Sequence, residues 1–141
     1  MPTRAAARES RSACPISIAL ELLGDAWSLL IVRDLMFKDR HTYNDFLAGG
    51  EGIASNILAD RLQRLEGSGL VTRAVDPEDG RRLRYRPTEA ARALLPVLVE
   101  LAYWGARHDP ESAAPPGFVA AYESDRDGLL RAMAAGFNPA K

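Results

Sequence analysis

The apolar positions from Cys14 onward fall into short helical stripes interrupted by a single alternating segment. In "PISIALELLG" Ile18 and Leu22 share one face and Ala19 and Leu23 the next, and the pattern stops at Gly24. Pro15 stands at the first helical position, where its fixed φ and missing N–H are tolerated. Asp25 is placed to cap a second helix, "AWSLLIVRDLMF", with Trp27, Leu30, Ile31 and Leu35 near one face. Thr42 caps a short third helix, "YNDFLA", with Tyr43, Phe46 and Leu47 inward. After the turn "GGEGIA", Ser55 is the expected cap of a fourth helix whose buried stripe is Leu58, Leu62 and Leu65. Its opposite face carries Asn56, Ala59, Asp60 and Gln63, with Arg64 at the edge, and "GSG" ends it.

The period then changes to two. "LVTRAV" and "RRLRYR" flank the turn "DPEDG", which predicts an antiparallel hairpin. Leu83 and Tyr85 share one face of the second strand; Arg82, Arg84 and Arg86 share the other. Helical spacing returns in "EAARALLPVLVELAYWGARH", capped by Thr88, with Leu94, Leu98, Leu101 and Ala102 on one face and Leu95 and Val97 widening it. Pro96 lies inside this run and predicts a kink or a lost hydrogen bond. A linker, "DPESAAPPG", leads to a last helix, "FVAAYESDRDGLLRAMAAGF". The expected organisation is a loose arm over 1–13, a principal domain over 14–108, and a linker with a helical extension over 109–141.

Composition changes this picture little. At 141 residues, 47% hydrophobic and 26% charged, the chain is the size and kind of one soluble globular domain. No apolar run approaches the ~20 residues that span a bilayer, and the basic N-terminus is not followed by an apolar signal core. A cytoplasmic protein with no membrane partner is expected. The single cysteine, Cys14, cannot build an intrachain disulfide and fits a reducing compartment. It has no CxxC partner, and His41 and His108 lack ligand spacing, so neither metal nor cofactor is expected. With no Gly-rich phosphate loop, no Cys/His pair and no set carboxylate pair, an enzyme is not expected either.

Charge does matter locally. The net charge is only -1, yet Arg81, Arg82, Arg84 and Arg86 fall within six residues. Short third helix, amphipathic fourth helix and hairpin, in that order, are the parts of a winged helix-turn-helix: mainly α, with a small β-hairpin. Such a motif lays its second helix in the major groove of DNA. The candidate DNA-contacting residues are then Ser55, Asn56, Ala59, Asp60, Gln63 and Arg64 on the helix, and Arg81, Arg82 and Arg84 on the wing. Asn and Gln can pair with adenine, and Arg with guanine or phosphate. Two blander readings stand beside this one. The helix face can be simply solvated, and an arginine strand can be an edge that resists aggregation. Asp76, Glu78 and Asp79 at the turn would repel phosphates. Arg61 either reaches a phosphate or pairs with a carboxylate such as Glu66 or Glu89. Trp27 and Trp104 read as core and interface residues.

"CPISIALELLGDAWSLLIVRDLMF", "GIASNILADRLQRLEGSGLVTR" and "YRPTEAARALLPVLVELAYWG" resemble HxlR-type transcription regulators, over about Cys14 to His108. The matching positions are Cys14-Pro15, Gly24, Trp27, Ile53 to Asn56, Leu58, Arg61-Leu62 and Trp104-Gly105. The wing tip "DPEDGRRLR", Pro87-Thr88 and Ala91 depart from the usual pattern. The resemblance implies a winged helix-turn-helix with additional N- and C-terminal dimerisation helices. It also implies a homodimeric regulator of double-stranded DNA, often a repressor, that reads an inverted repeat. Its first and late helices would pair across the dimer through Ile18, Leu22, Leu94, Leu98, Leu101 and Trp104. It further implies a redox or electrophile sensor at Cys14, as in some members. The helix N-terminus and the nearby Arg8 and Arg11 are compatible with that role, and a packing role for a small apolar residue is the alternative. An unknown small-molecule effector held between dimer helices, or a protein-interaction module with weak DNA binding, are the other functional classes left open.

Overall fold

A computed structural model describes residues 10–136 of the chain. Residues 1–9, most of the expected arm, and 137–141 lie outside the described residues. The chain divides into two compact units at Arg92 and Ala93.

In the first unit, Pro15 opens α1 (Pro15–Leu23). Gly24 closes it, its N–H donating to the Leu20 carbonyl at 2.7 Å; a Cβ at position 24 would collide with that oxygen. The Asp25 carboxylate then gathers the Trp27 N–H (2.9 Å), the Ser28 N–H (3.1 Å) and the Ser28 hydroxyl (2.6 Å) at the start of α2 (Ser28–Phe37). It therefore satisfies first-turn donors, as the sequence predicts, from a position before the residue at the helix boundary. Burial by itself raises the pKa of this carboxyl. The Ser28 hydroxyl, the Trp27 amide, Arg61 and the Ser28 amide together outweigh burial and hold the pKa well below 3.8.

Thr42 and Asp45 form a reciprocal capping box on α3 (Tyr43–Leu47). The fourth helix, α4 (Ser55–Gly67), starts differently from expectation: Ala54 occupies the capping position, and Ser55 is the first helical residue with no side-chain cap bond. The helix is held instead by its apolar stripe. Leu58, Leu62 and Leu65 are buried, in a core that includes Ile31, Val32 and Leu35 of α2 and Phe46 of α3. At its end Gly69 adopts φ 80°. Leu70 N–H reaches the Leu65 carbonyl and Gly69 N–H the Glu66 carbonyl, the paired bonds of a Schellman stop.

The hairpin follows as β1 (Val71–Val75) and β2 (Leu83–Pro87), antiparallel, with Val71 opposite Pro87 and Val75 opposite Leu83. The second strand begins two residues later than the pattern "RRLRYR" predicts. Backbone bonds from Asp76 N–H to the Arg82 carbonyl and from Arg82 N–H to the Asp79 carbonyl keep Arg81 and Arg82 in the turn. Tyr85 and Pro87 face the core while Arg84 and Arg86 lie on the other face. Thr88 then caps α5 (Glu89–Arg92), accepting the Ala91 N–H at 3.3 Å and donating its hydroxyl to the Gly69 carbonyl at 2.7 Å.

The second unit contains α6 (Leu95–His108), α7 (Phe118–Ser124) and α8 (Arg126–Ala135). Two helices expected to be continuous are broken. Pro96 does not kink the late helix from within; it sits in the first turn of α6, where no N–H bond is lost, and α5 ends before it. Asp125 interrupts the last helix with an extended φ of -157°, and its carboxylate caps α8 through the Gly128 N–H at 2.9 Å. Tyr122 of α7 stacks on Tyr103 of α6 with ring centroids 3.8 Å apart. The Tyr122 hydroxyl donates to Glu100, which also holds Arg126 of α8, and the Tyr103 hydroxyl donates to Glu123. No single described helix is long and apolar enough to cross a membrane.

The Asp25 corner yields a pH-dependent prediction. A carboxyl whose folded pKa is lowered contributes stability that is fully present above its unfolded pKa and is lost as the pH falls through the folded value. Asp25→Asn should therefore destabilise the protein most at neutral pH, with the difference from wild type shrinking below about pH 4. Urea titrations at pH 7, 4 and 3 measure this; a difference independent of pH would contradict it.

Candidate nucleic-acid interface

Packing Leu58, Leu62 and Leu65 inward turns Asn56, Ala59, Asp60 and Gln63 outward, because α4 repeats every 3.6 residues. All four are exposed, as is Ser55 at the helix start. Asp60 is not a free acid: it pairs with Arg61. Arg61 is turned away from this face, and its Nε donates to Asp25 Oδ2 at 2.9 Å. Of the two roles weighed for Arg61, it takes the carboxylate one, but with Asp25 and Asp60 in place of Glu66 or Glu89. Glu66 pairs with Arg73 of β1 at 2.9 Å. Arg64 also leaves the outer face; it is half-buried, with Nη2 donating to the Glu21 carbonyl at 3.3 Å. On the flank of α4 toward the hairpin, Tyr43, Ala59, Gln63, Glu66, Arg73 and Tyr85 line a cleft of about 300 Å³.

Of the three acids of the hairpin turn, Asp76 and Asp79 are engaged within it, while Glu78 is exposed. Asp76 is buried and accepts both the Glu78 N–H at 2.9 Å and Arg82 Nε at 2.7 Å. The Glu78 amide first, and Arg82 second, hold its pKa below the ordinary carboxylate value. Asp79 accepts the N–H and Nε of Arg81 at 3.0 and 3.3 Å. Arg81 and Arg82 are thus exposed but tied to carboxylates of their own turn. Arg84, half-buried, and Arg86, exposed, lie across from Ala74 and Thr72. Among the described residues neither closes a salt bridge or a side-chain hydrogen bond. Arg86 joins the candidate residues here, since the period of two already places it on the face of Arg84.

Each unit leaves apolar helix residues exposed. On α1, Ile18 is exposed and Leu22 half-buried; Ile16 and Leu20, not singled out from sequence, are more exposed than Ile18. They stand four apart, on the side of α1 opposite Ile18 and Leu22, a spacing legible in the sequence. On α6, Trp104 is 64% exposed and Leu101 52%, with Val97 exposed and Leu94 and Leu98 half-buried. The Trp104 ring stacks on His108 with centroids 4.6 Å apart. Trp27 is half-buried at the start of α2. Cys14 is exposed at the capping position of α1. Arg11 is engaged elsewhere, its N–H with Glu21 Oε1 at 2.7 Å and its Nη2 with the Ser17 hydroxyl at 3.3 Å, and Arg8 lies outside the described residues.

This arrangement has known relatives. The profile of the HxlR-like helix-turn-helix family matches residues 22–113. The chain is 40% identical, over 98 residues and 70% of its length, to the uncharacterized HTH-type transcriptional regulator Mb3122 of Mycobacterium bovis, and it spans 61% of that relative. The solved structure of PA1607 is 36% identical with a TM-score of 0.66, over 75% of this chain and 74% of that one. The reduced form of the transcriptional regulator YodB from Bacillus subtilis is 30% identical with a TM-score of 0.57, over 72% of this chain and 100% of YodB. The helices α7 and α8 lie beyond the matched span.

Proposed function

Because the chain belongs to the HxlR-like helix-turn-helix family, we propose that it is a DNA-binding transcription regulator that lays α4 in the major groove. The observation that carries this reading is the exposed polar face Asn56, Ala59, Asp60 and Gln63, presented by a helix whose other face is locked in the core. Beside it stands a hairpin whose Asp76 and Asp79 are engaged by its own turn and whose Arg84 and Arg86 close no salt bridge among the described residues. That distribution lets a chain of net charge -1 present positive charge where a phosphate backbone would run. Asn56 and Gln63 take the base-reading role, Ser55 at the helix N-terminus a phosphate, and Arg84 and Arg86 the phosphates beside the groove. Repression is the mode that the family resemblance implies.

The regulator works as a two-fold dimer. Ile16, Ile18 and Leu20 on α1 and Leu101 and Trp104 on α6 are apolar surfaces left to water in one chain, and identical patches pair isologously. A two-fold dimer with one reading helix per subunit requires an inverted repeat, with half-sites about 34 Å apart or a multiple of that.

A second reading concerns regulation. Cys14 is exposed at the head of α1, and YodB, a relative of like fold, is known in a reduced form. Peroxide would convert the thiol to a sulfenic acid with release of water, altering the end of a helix assigned to the dimer.

Selection from random duplexes should yield an inverted repeat. Arg84→Ala and Arg86→Ala should each weaken specific and random DNA alike, flattening the salt slope by ~1 per lost phosphate contact. Asn56→Ala or Gln63→Ala should change base preference instead. No salt-dependent binding to any duplex would refute the DNA reading.

Light scattering should find a dimer at micromolar concentration and a monomer for Leu101→Asp. A monomeric wild type would remove the dimer from the account.

Peroxide or a quinone should release DNA from the wild type but not from Cys14→Ser. Equal release from both, or from neither, would leave Cys14 a packing residue.

A further inference from the structure

Arg64 stands on an edge of α4, in surroundings unlike those of a base-reading arginine. Its Nη2 donates to the Glu21 carbonyl in the last turn of α1, and its Nε is buried with no partner among the described residues. Arg61, three residues earlier on the same edge, donates its Nε to Asp25 Oδ2 at 2.9 Å. Glu21 and Asp25 lie on either side of Gly24, at the corner where α1 gives way to α2. Two arginines of one helix edge therefore hold two points of one corner.

An arginine that reads a groove turns outward and keeps its donors in water until DNA replaces that water. Arg64 instead buries a donor without an acceptor, an arrangement that is unfavourable by itself. Its contact is nevertheless well matched, since the C-terminal carbonyls of α1 are the negative end of that helix. The stripe Leu58, Leu62 and Leu65 sets which face of α4 is buried, but apolar burial has no direction and tolerates small changes in the roll of the helix about its axis. Two directional, charged hydrogen bonds on one flank define that roll. They also join α4 to α1, the helix whose Ile16, Ile18 and Leu20 are open to other molecules.

We infer that Arg64 is a positioning residue: together with Arg61 it clasps the α1–α2 corner and sets the pose of α4, so that a displacement of α1 is carried to α4. The clasp itself is independent of DNA; its consequence for base reading rests on the function proposed above.

Two measurements test it. In nitrogen-15 spectra of the full chain, the Arg64 Nε–H, assigned by its disappearance in Arg64→Lys, should exchange with water far more slowly than that of exposed Arg86. Exchange as fast as Arg86 overturns the clasp. On the duplex selected by the wild type, Arg64→Ala should lose about tenfold or more in specific affinity. It should select the same motif and bind random DNA as before. Arg64→Lys, whose ammonium keeps a donor for the Glu21 carbonyl but cannot fork to guanine, should recover most of the loss. A motif relaxed at one base pair per half-site with no rescue by lysine makes Arg64 a base reader and overturns the inference, as does unchanged affinity in Arg64→Ala. If Arg64→Ala does not fold, Arg64→Lys and the exchange rate still decide. If the wild type selects no motif, the DNA reading fails and the exchange rate alone decides the clasp.

Discussion

The Asp25 carboxylate is where the first unit is tied together. Its two oxygens accept the amides of Trp27 and Ser28, the Ser28 hydroxyl and the Arg61 guanidinium. The first three donors start α2; the last belongs to α4, thirty-six residues on. A carboxylate half out of water is costly unless its lone pairs are filled, and these donors fill them from two elements at once. The rest of the arrangement follows. With α2 and the flank of α4 fixed, the leucine stripe of α4 meets Ile31, Val32 and Leu35, and the polar residues of α4 face outward by necessity of the helical repeat.

Electrostatics in the hairpin obey the same economy. The turn holds three acids and two arginines, a composition that argues neither for nor against an anionic partner. Geometry separates them. Asp76 folds under Arg82 and takes the Glu78 amide, Asp79 takes Arg81, Glu78 stays exposed, and the strand beyond presents Arg84 and Arg86, which close no salt bridge among the described residues. A net charge near zero is thus compatible with a local positive edge, which matters at phosphate distances, since charges beyond a Debye length of about 8 Å are screened.

Much of this was legible in the sequence, for a simple reason. Apolar spacing, caps and turn residues are local properties, so the helices α1 to α4, the capping role of Thr42 and the hairpin followed from neighbours within a few positions. What was not legible depended on distant partners or on competing local rules. Pro96 and Asp125 read as interior to long helices, yet each begins a new one, because a proline in the first turn and an aspartate at a cap satisfy more of the backbone than either does mid-helix. Ser55 reads as a cap but gives that place to Ala54. For Arg61 the sequence leaves a phosphate or a carboxylate open, and the Asp25 that it holds lies thirty-six residues away. Arg64 falls near the boundary of the outer face on a helical wheel; only the Glu21 carbonyl, a backbone atom with no sequence signature, draws it inward.

The central claim is that the outer face of α4 lies against base edges. A photo-reactive residue at Ala59, small, exposed and central on that face, tests it most directly. On the inverted repeat selected by the wild type, the account predicts an ultraviolet-dependent crosslink from position 59 to bases of each half-site, lost when salt releases the complex. Crosslinks to DNA from a hairpin position such as Thr72 but none from position 59 would contradict it.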